Sequence, residues 1–210
     1  MKKVLILGVT GMLGNALYDV LRKRYELALS LRDPGKLSLL ENAYGGTGKC
    51  TIISFDAEKL YLEFLEKKGS PSEYLVQVSA ELGKVDYVIN AIGVTIPFSL
   101  ENPALTFFIN GALPHILAAH WGEKLIHITT DCVYNGKDDF PYYENSPKTP
   151  VDIYGLSKSL GEPLNCLTLR TSIIGRELEG KTGFLEWFLQ QEGKEISGFA
   201  EHYWNGLTTQ

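Results

Sequence analysis

The stretch KVLILGVTGMLG, residues 3–14, decides the fold of this chain. Its first half is a continuous apolar run that ends in glycine, which predicts a buried β-strand. Leucines and a valine then recur at helical spacing from Leu13 to Leu21, which predicts an amphipathic helix directly after the turn. A strand, a glycine-rich turn and a helix in this order form the first half of a βαβ unit.

Five more strand-like segments follow, and helical segments separate most of them. They lack the regular polar alternation of a half-exposed sheet, as expected of parallel strands that are buried on both faces. We therefore predict an α/β fold with a doubly wound parallel sheet of the Rossmann type. We expect residues 1–175 to form a dinucleotide-binding domain and residues 176–210 to begin a substrate-binding lobe that is truncated here. The five predicted strands are 27–32, 50–55, 86–93, 124–130 and 166–175.

Composition narrows the class of protein. With 44% hydrophobic and 21% charged residues, the 210-residue chain can bury a proper core, and a net charge of −5 disfavours nucleic acid or an anionic membrane as partner. The first apolar run is too short for a signal peptide or a membrane span, so we expect a cytoplasmic protein. The three cysteines and four histidines lack metal-ligand spacing, so we expect free thiols and no metal.

Gly8, Gly11 and Gly14 follow one another at three-residue steps between the first strand and the first helix. Such a turn allows backbone amides and the helix N-terminus to face a pyrophosphate. The alternative is a purely structural turn with close packing of strand and helix. The strand-turn-helix context favours nucleotide binding, which extends the predicted cofactor contacts to Thr10, Met12 and Leu13.

The end of the second predicted strand indicates which dinucleotide is bound. The carboxylate that usually accepts the ribose hydroxyls is missing there, and Ser30 and Arg32 take its place. An arginine at this point favours a 2′-phosphate, so NADP(H) is expected over NAD(H). Asp33 is adjacent, however, and a register shift of one residue would reverse this choice.

The segment DIYGLSK, residues 152–158, places a tyrosine and a lysine one helical turn apart. If Asp152 caps this helix, Tyr154 lies in the first turn, where the helix dipole favours a developing phenolate. Lys158 lies on the same face and can stabilise that anion, since a free tyrosine has a pKa of about 10. The alternative is an ordinary exposed pair on a helix.

Several motifs together resemble one family, the extended short-chain dehydrogenase/reductases, and within it the dTDP-4-dehydrorhamnose reductase type. The resemblance covers roughly residues 1–175. It implies that Thr130 hydrogen-bonds the keto oxygen of the substrate, that Tyr154 gives the proton, and that Lys158 tunes Tyr154 and binds the nicotinamide ribose. The motifs are GVTGMLG (8–14), NAIGVT (90–95), TTDCVYNGK (129–137), PYYENSPKTPVDIYGLSKSLGE (141–162) and LRTSIIG (169–175).

The resemblance also assigns further contacts. Asp56 should approach the adenine, and Asn90, Ala91, Gly93 and Thr171 should line the dinucleotide. Asn90 also has a simpler explanation as a turn former at a strand end.

In the family an asparagine carbonyl at the position of Asn110 holds a water molecule in the proton relay. Pro114 cannot donate a hydrogen bond to that carbonyl four residues earlier, which leaves it free in a kinked helix. A purely structural kink is the alternative.

The implied activity is the NADP(H)-dependent reduction of a nucleotide-linked 4-keto (deoxy)sugar in polysaccharide biosynthesis, with a possible homodimer. The alternatives are an epimerase or dehydratase with bound NAD, and a non-catalytic NADP-binding regulatory subunit. Cys132 replaces an aromatic residue that the reductases often carry. Residues 201–205 resemble the beginning of a sugar-nucleotide pocket, although a packed aromatic cluster is the alternative.

Overall fold

The computed structural model describes residues 1–66, 68–138, 141–204 and 206–209. Six strands form one parallel sheet in the order β3-β2-β1-β4-β5-β6, as predicted for a doubly wound fold. The strand order runs outward from β1 in both directions, so the crevice at the carboxyl ends of β1 and β4 is the expected ligand site. The strands are β1 (Lys3–Leu7), β2 (Glu26–Leu31), β3 (Thr51–Ser54), β4 (Tyr87–Asn90), β5 (Leu125–Thr130) and β6 (Leu167–Thr171).

Helices cover both faces of this sheet. The first strand shows why it lacks polar alternation: Val4 and Ile6 pack in one apolar cluster, while Leu5 and Leu7 pack in another on the opposite face. The helices are α1 (Met12–Leu21), α2 (Leu37–Tyr44), α3 (Ala57–Leu65), α4 (Pro71–Leu82), α5 (Ile96–Glu101), α6 (Pro103–Thr106), α7 (Leu113–Trp121), α8 (Ile153–Leu160) and α9 (Phe184–Leu189). A π-helical segment, Phe107–Ala112, joins α6 to α7.

The sixth predicted strand is shorter than the sequence indicates. It ends at Thr171, and Ile173–Ile174 form a separate strand, β7, that pairs in parallel with β8 (Leu207–Thr208). The break lies at Ser172, whose hydroxyl accepts a hydrogen bond from the Trp204 indole at 2.8 Å and whose carbonyl accepts one from the Leu207 amide at 2.9 Å. The C-terminal segment thus draws the chain away from the main sheet.

None of the helices in the described ranges is long and apolar enough to cross a membrane.

Candidate active site

The glycine turn lies at the carboxyl end of β1. Gly8 has a φ of +81°, a backbone conformation that favours glycine, and its amide donates to the Ser30 hydroxyl at 2.9 Å. A Cβ on Gly14 would collide with the Gly8 carbonyl, so glycine is needed there for close packing of α1 on the turn. Gly11 is exposed and is the N-cap residue of α1. The turn therefore serves packing and also leaves a bare backbone at a helix N-terminus, which fits a pyrophosphate.

At the end of β2 the polar residues have different surroundings. Ser30 is buried and held by Gly8. The carboxylate of Asp33 accepts a hydrogen bond from the Gly35 amide at 2.8 Å and caps a short 3₁₀ turn. Arg32 is exposed, and among the described residues its guanidinium makes a single long ion pair, 3.8 Å, with Glu58. The guanidinium is therefore the least constrained of these groups.

The end of β4 carries three of the predicted cofactor contacts. The side chain of Asn90 is fully buried, and its Oδ1 accepts a hydrogen bond from the Ile92 amide at 3.1 Å, as in a turn former. The Ala91 carbonyl lies beside Gly8. A Cβ on Gly93 would lie 2.7 Å from the Lys158 Nζ, so glycine here allows the lysine to approach the backbone.

Asp56 follows β3 by two residues and caps α3. Its Oδ1 accepts hydrogen bonds from the Glu58 and Lys59 amides at 3.0 and 3.2 Å. This capping role explains an aspartate at this position, and the adenine contact stays a prediction.

The structure brings Thr130, Tyr154 and the start of α8 together. Thr130 ends β5, and its hydroxyl accepts a hydrogen bond from the Cys132 amide at 3.2 Å. Asp152 caps α8 as predicted, since its carboxylate accepts from the Gly155 amide at 2.7 Å. A Cβ on Gly155 would collide with the Cys132 carbonyl. Glycine at this position therefore lets the first turn of α8 pack against the turn that follows β5.

The ionisable groups of this cluster are shifted by burial. Burial raises the pKa of Tyr154, and a hydrogen bond with the Thr130 hydroxyl opposes this rise. Burial lowers the pKa of Lys158 to about 8, and the side chain is only 6% exposed. Lys158 was expected to stabilise the phenolate, but it is not among the main influences on the pKa of Tyr154. In this state the tyrosine is a protonated donor at neutral pH.

Asn110 lies in the π-helical segment and is fully buried. Its carboxamide binds Val94 twice, accepting from the amide at 3.0 Å and donating to the carbonyl at 3.1 Å, and it donates to the Ser157 hydroxyl at 3.1 Å. Its backbone carbonyl packs against Gly161, at which a Cβ would collide with it. The sequence singled out the carbonyl, whereas the structure shows the side chain clamping the 91–94 loop to α8.

Thr171 lies at the carboxyl end of β6 and pairs in register with Thr130, the last residue of β5.

Residues 176–183 lie beside the glycine turn, although nothing in the sequence connected the two. The Asn15 side-chain Nδ2 donates to the Arg176 carbonyl at 3.3 Å, and Gly183 lies beside the Met12 side chain. Glu179 forms an ion pair with Lys36, which follows β2. Residues 176–183 therefore lie along the start of α1 and the segment after β2, and no local motif indicated this placement.

An ion-pair network surrounds the Glu162 carboxylate just after the C-terminal end of α8. Glu162, whose side chain is 8% exposed, receives two hydrogen bonds from the Arg170 guanidinium at 2.9 and 2.8 Å and one from Lys148 at 3.1 Å. Arg170 also donates to the Glu144 carbonyl and to the Tyr134 hydroxyl. The network ties the loop before α8 to β6.

Of the C-terminal aromatic residues, Trp204 binds Ser172 and Tyr203 is 92% exposed. Asn205 lies outside the described residues. In the described part of the chain, no cluster of three or more His, Cys, Asp or Glu side chains is arranged to hold a metal ion.

Comparison with known proteins identifies the family. The profile of the RmlD substrate-binding domain matches residues 1–194. The chain belongs to this family.

This chain is similar to curated relatives over part of their length. The spore coat polysaccharide biosynthesis protein SpsK of Bacillus subtilis is 36% identical over 113 residues, which is 50% of this chain and 40% of SpsK. A dTDP-4-dehydrorhamnose reductase of Burkholderia thailandensis is 38% identical over 86 residues, 39% of this chain and 29% of the reductase. The matched stretch thus spans less than half of either relative.

Solved structures share the fold. A dTDP-4-dehydrorhamnose reductase from Bacillus anthracis in complex with NADP superposes with a TM-score of 0.61 and 23% identity, over 91% of this chain and 60% of that one. A UDP-N-acetylglucosamine 4-epimerase from Methanobrevibacter ruminantium superposes with a TM-score of 0.70 and 19% identity, over 95% and 66% of the two chains. At these identities the likeness supports the Rossmann-type fold.

Proposed function

We propose that this RmlD-family protein catalyses the NADPH-dependent reduction of a nucleotide-linked 4-keto (deoxy)sugar. The observation that carries the proposal is the placement of Thr130 and Tyr154 beside each other, with Lys158 against the 91–94 loop, at the carboxyl edge that also holds the glycine turn. Ligands of open α/β sheets bind at this edge.

Each residue of the cluster has a role that its surroundings support. Tyr154, protonated at neutral pH, donates the proton to the keto oxygen, and the Thr130 hydroxyl orients that oxygen. Lys158 would hold the nicotinamide ribose, and its depressed pKa keeps the ammonium close to proton exchange near neutral pH. When bound, the reduced nicotinamide supplies the hydride.

The cradle for the dinucleotide would consist of the glycine turn, the β4 end and the β2 end. A preference for NADP(H) is supported by the different constraints on Asp33 and Arg32. Because Asp33 caps a turn, it is less available to a ribose hydroxyl, whereas the exposed guanidinium of Arg32 can turn from Glu58 to a 2′-phosphate.

In this proposal the sugar nucleotide lies between Tyr154 and the segment after residue 175, as part of a substrate lobe. The support is that residues 176–183 already lie along the glycine turn through Asn15 and Met12.

The test is oxidation of NADPH, followed at 340 nm, with a panel of nucleotide-linked 4-keto sugars, beginning with a dTDP-linked 4-keto-6-deoxyhexose. Turnover of at least one such sugar, and its loss in Tyr154→Phe, is the expected result. A matched control is Tyr143→Phe, which alters an exposed tyrosine with 60% of its surface in solvent. Tightly retained NAD with epimerisation and no net NADPH consumption would instead indicate the epimerase.

A further inference from the structure

His127 lies on β5 three residues before Thr130, and its side chain has no exposed surface. It stands beside Asn90 on the neighbouring strand, with which it pairs in register. The Asn90 Nδ2 lies 3.1 Å from the His127 Nδ1. A buried histidine that bonds a predicted cofactor-loop residue has no role in the chemistry described so far.

The contacts of Asn90 fix which imidazole nitrogen carries the proton. Because the Asn90 Oδ1 accepts the Ile92 amide, its Nδ2 group faces the imidazole and donates to Nδ1. The proton of the neutral ring is therefore on Nε2. This nitrogen has no hydrogen-bond partner among the residues described.

Burial, together with a nearby positive charge, keeps the ring neutral. Burial and the nearby Lys158 ammonium lower the pKa of His127 to about 3, and His115 acts in the same direction. Glu162 opposes this shift without overcoming it. A second proton on Nδ1 would break the bond from Asn90 and place a cation beside Lys158.

We propose that His127 is a positioning residue of the reductase: its Nδ1 holds the Asn90 carboxamide, which holds the Ile92 amide and so fixes the 91–94 loop that lies against Lys158. Asn110 fixes the far end of the same loop through Val94. The loop is thus held at two points, and His127 controls the one nearer to β4. The effect on NADPH rests on the proposed function, whereas the effect on the loop does not.

Two variants separate positioning from packing. His127→Leu keeps an apolar volume and removes the acceptor, whereas His127→Asn loses volume but offers an Oδ1 acceptor to Asn90. Amide hydrogen exchange in the cofactor-free protein is the first readout. The Ile92 amide should exchange at least tenfold faster in His127→Leu and within threefold of wild type in His127→Asn, while the Val94 amide, held by Asn110, stays within threefold in both.

The second readout is the dissociation constant of NADPH, from fluorescence titration. We expect it to rise at least fivefold in His127→Leu and less than twofold in His127→Asn, although both lose thermal stability. Equal affinities in the two variants, or unchanged protection of Ile92 in His127→Leu, would overturn the proposal.

A third readout needs no variant. The ¹⁵N shifts of wild-type His127 should report the Nε2–H tautomer throughout pH 5–8, and an Nδ1–H tautomer would refute the proposal even if His127→Leu does not fold. If wild type binds no NADPH while the tautomer and exchange results hold, the proposed function fails and the positioning of the loop stands.

Discussion

Replacing Lys158 by methionine should stabilise the cofactor-free protein while it removes activity. In the folded state the pKa of Lys158 is about 8, against 10.5 for a free lysine, because burial disfavours the ammonium. Unfolded chains therefore bind more protons between these two values, so the cost of folding around this lysine is greatest at low pH. Integration of the shift gives a cost of about 3 kcal/mol at pH 7 and about 1.4 kcal/mol at pH 9.5.

Methionine has a similar length and carries no charge, so Lys158→Met removes this cost and also changes the local packing. The packing change is the same at both pH values, and the decisive quantity is the difference between them. Urea unfolding should show that the variant's advantage over wild type is about 2 kcal/mol larger at pH 7 than at pH 9.5.

The exposed Lys84 provides the matched control, because Lys84→Met should change the free energy of unfolding by less than about 0.5 kcal/mol at either pH. An advantage of Lys158→Met that does not depend on pH, or a loss of stability that grows as the pH falls, would refute the argument. NADPH should stabilise wild type far more than the variant, because the variant lacks the ammonium proposed to hold the ribose.

Tyr154→Phe should lower kcat by about 10²–10⁴ with NADPH affinity retained, since it removes the proton donor and keeps the ring; single-turnover and binding measurements check this, and kcat within threefold of wild type contradicts the role. Arg32→Ala should weaken NADPH about tenfold and NADH by less than twofold, because a charged hydrogen bond to the 2′-phosphate is lost at an exposed site; equal losses in parallel titrations would place Arg32 away from the phosphate. Between pH 8 and pH 5 the free energy of unfolding should fall by about 2 kcal/mol more in wild type than in His127→Asn. The reason is that His127 binds a proton in the unfolded state (pKa 6.5) but stays neutral in the folded state (pKa about 3). Equal acid sensitivity of the two proteins in chemical denaturation would contradict the buried neutral ring.

The sequence predicted the sheet well where burial decides the structure. The central strand β1 is apolar on both faces, so its position could be read from residues within that strand. The edge strand was predicted too long. Its continuation past Thr171 depends on Trp204 and Leu207, more than thirty residues later, which draw Ser172 into a different pairing. The apolar residues of a strand carry no information about a pairing partner so far along the chain.

The same distinction applies to the candidate site. Asp152 as a cap and the closely packed Gly14 could be predicted because each acts within a few residues of itself. The clamp by the Asn110 side chain could not, because Val94 and Ser157 lie 16 and 47 residues away from it. Pro114 pointed to the backbone carbonyl of Asn110, because a missing amide is visible in sequence. The distant partners of the Asn110 side chain are not visible there.

The buried lysine connects these observations. A charged side chain that is 6% exposed must be kept in place by its surroundings, because its own burial is unfavourable by about 3 kcal/mol at pH 7. Gly93 admits the ammonium, and the fully buried Asn90, His127 and Asn110 fix the loop around it without adding a charge. Neutral hydrogen-bonding groups can hold this loop at little electrostatic cost. A second cation, by contrast, would repel Lys158, and a carboxylate would pair with it and hold it away from a ribose. The polar layer beneath Lys158 is therefore expected to tolerate amide replacements at His127 better than any charged residue, even one of similar volume.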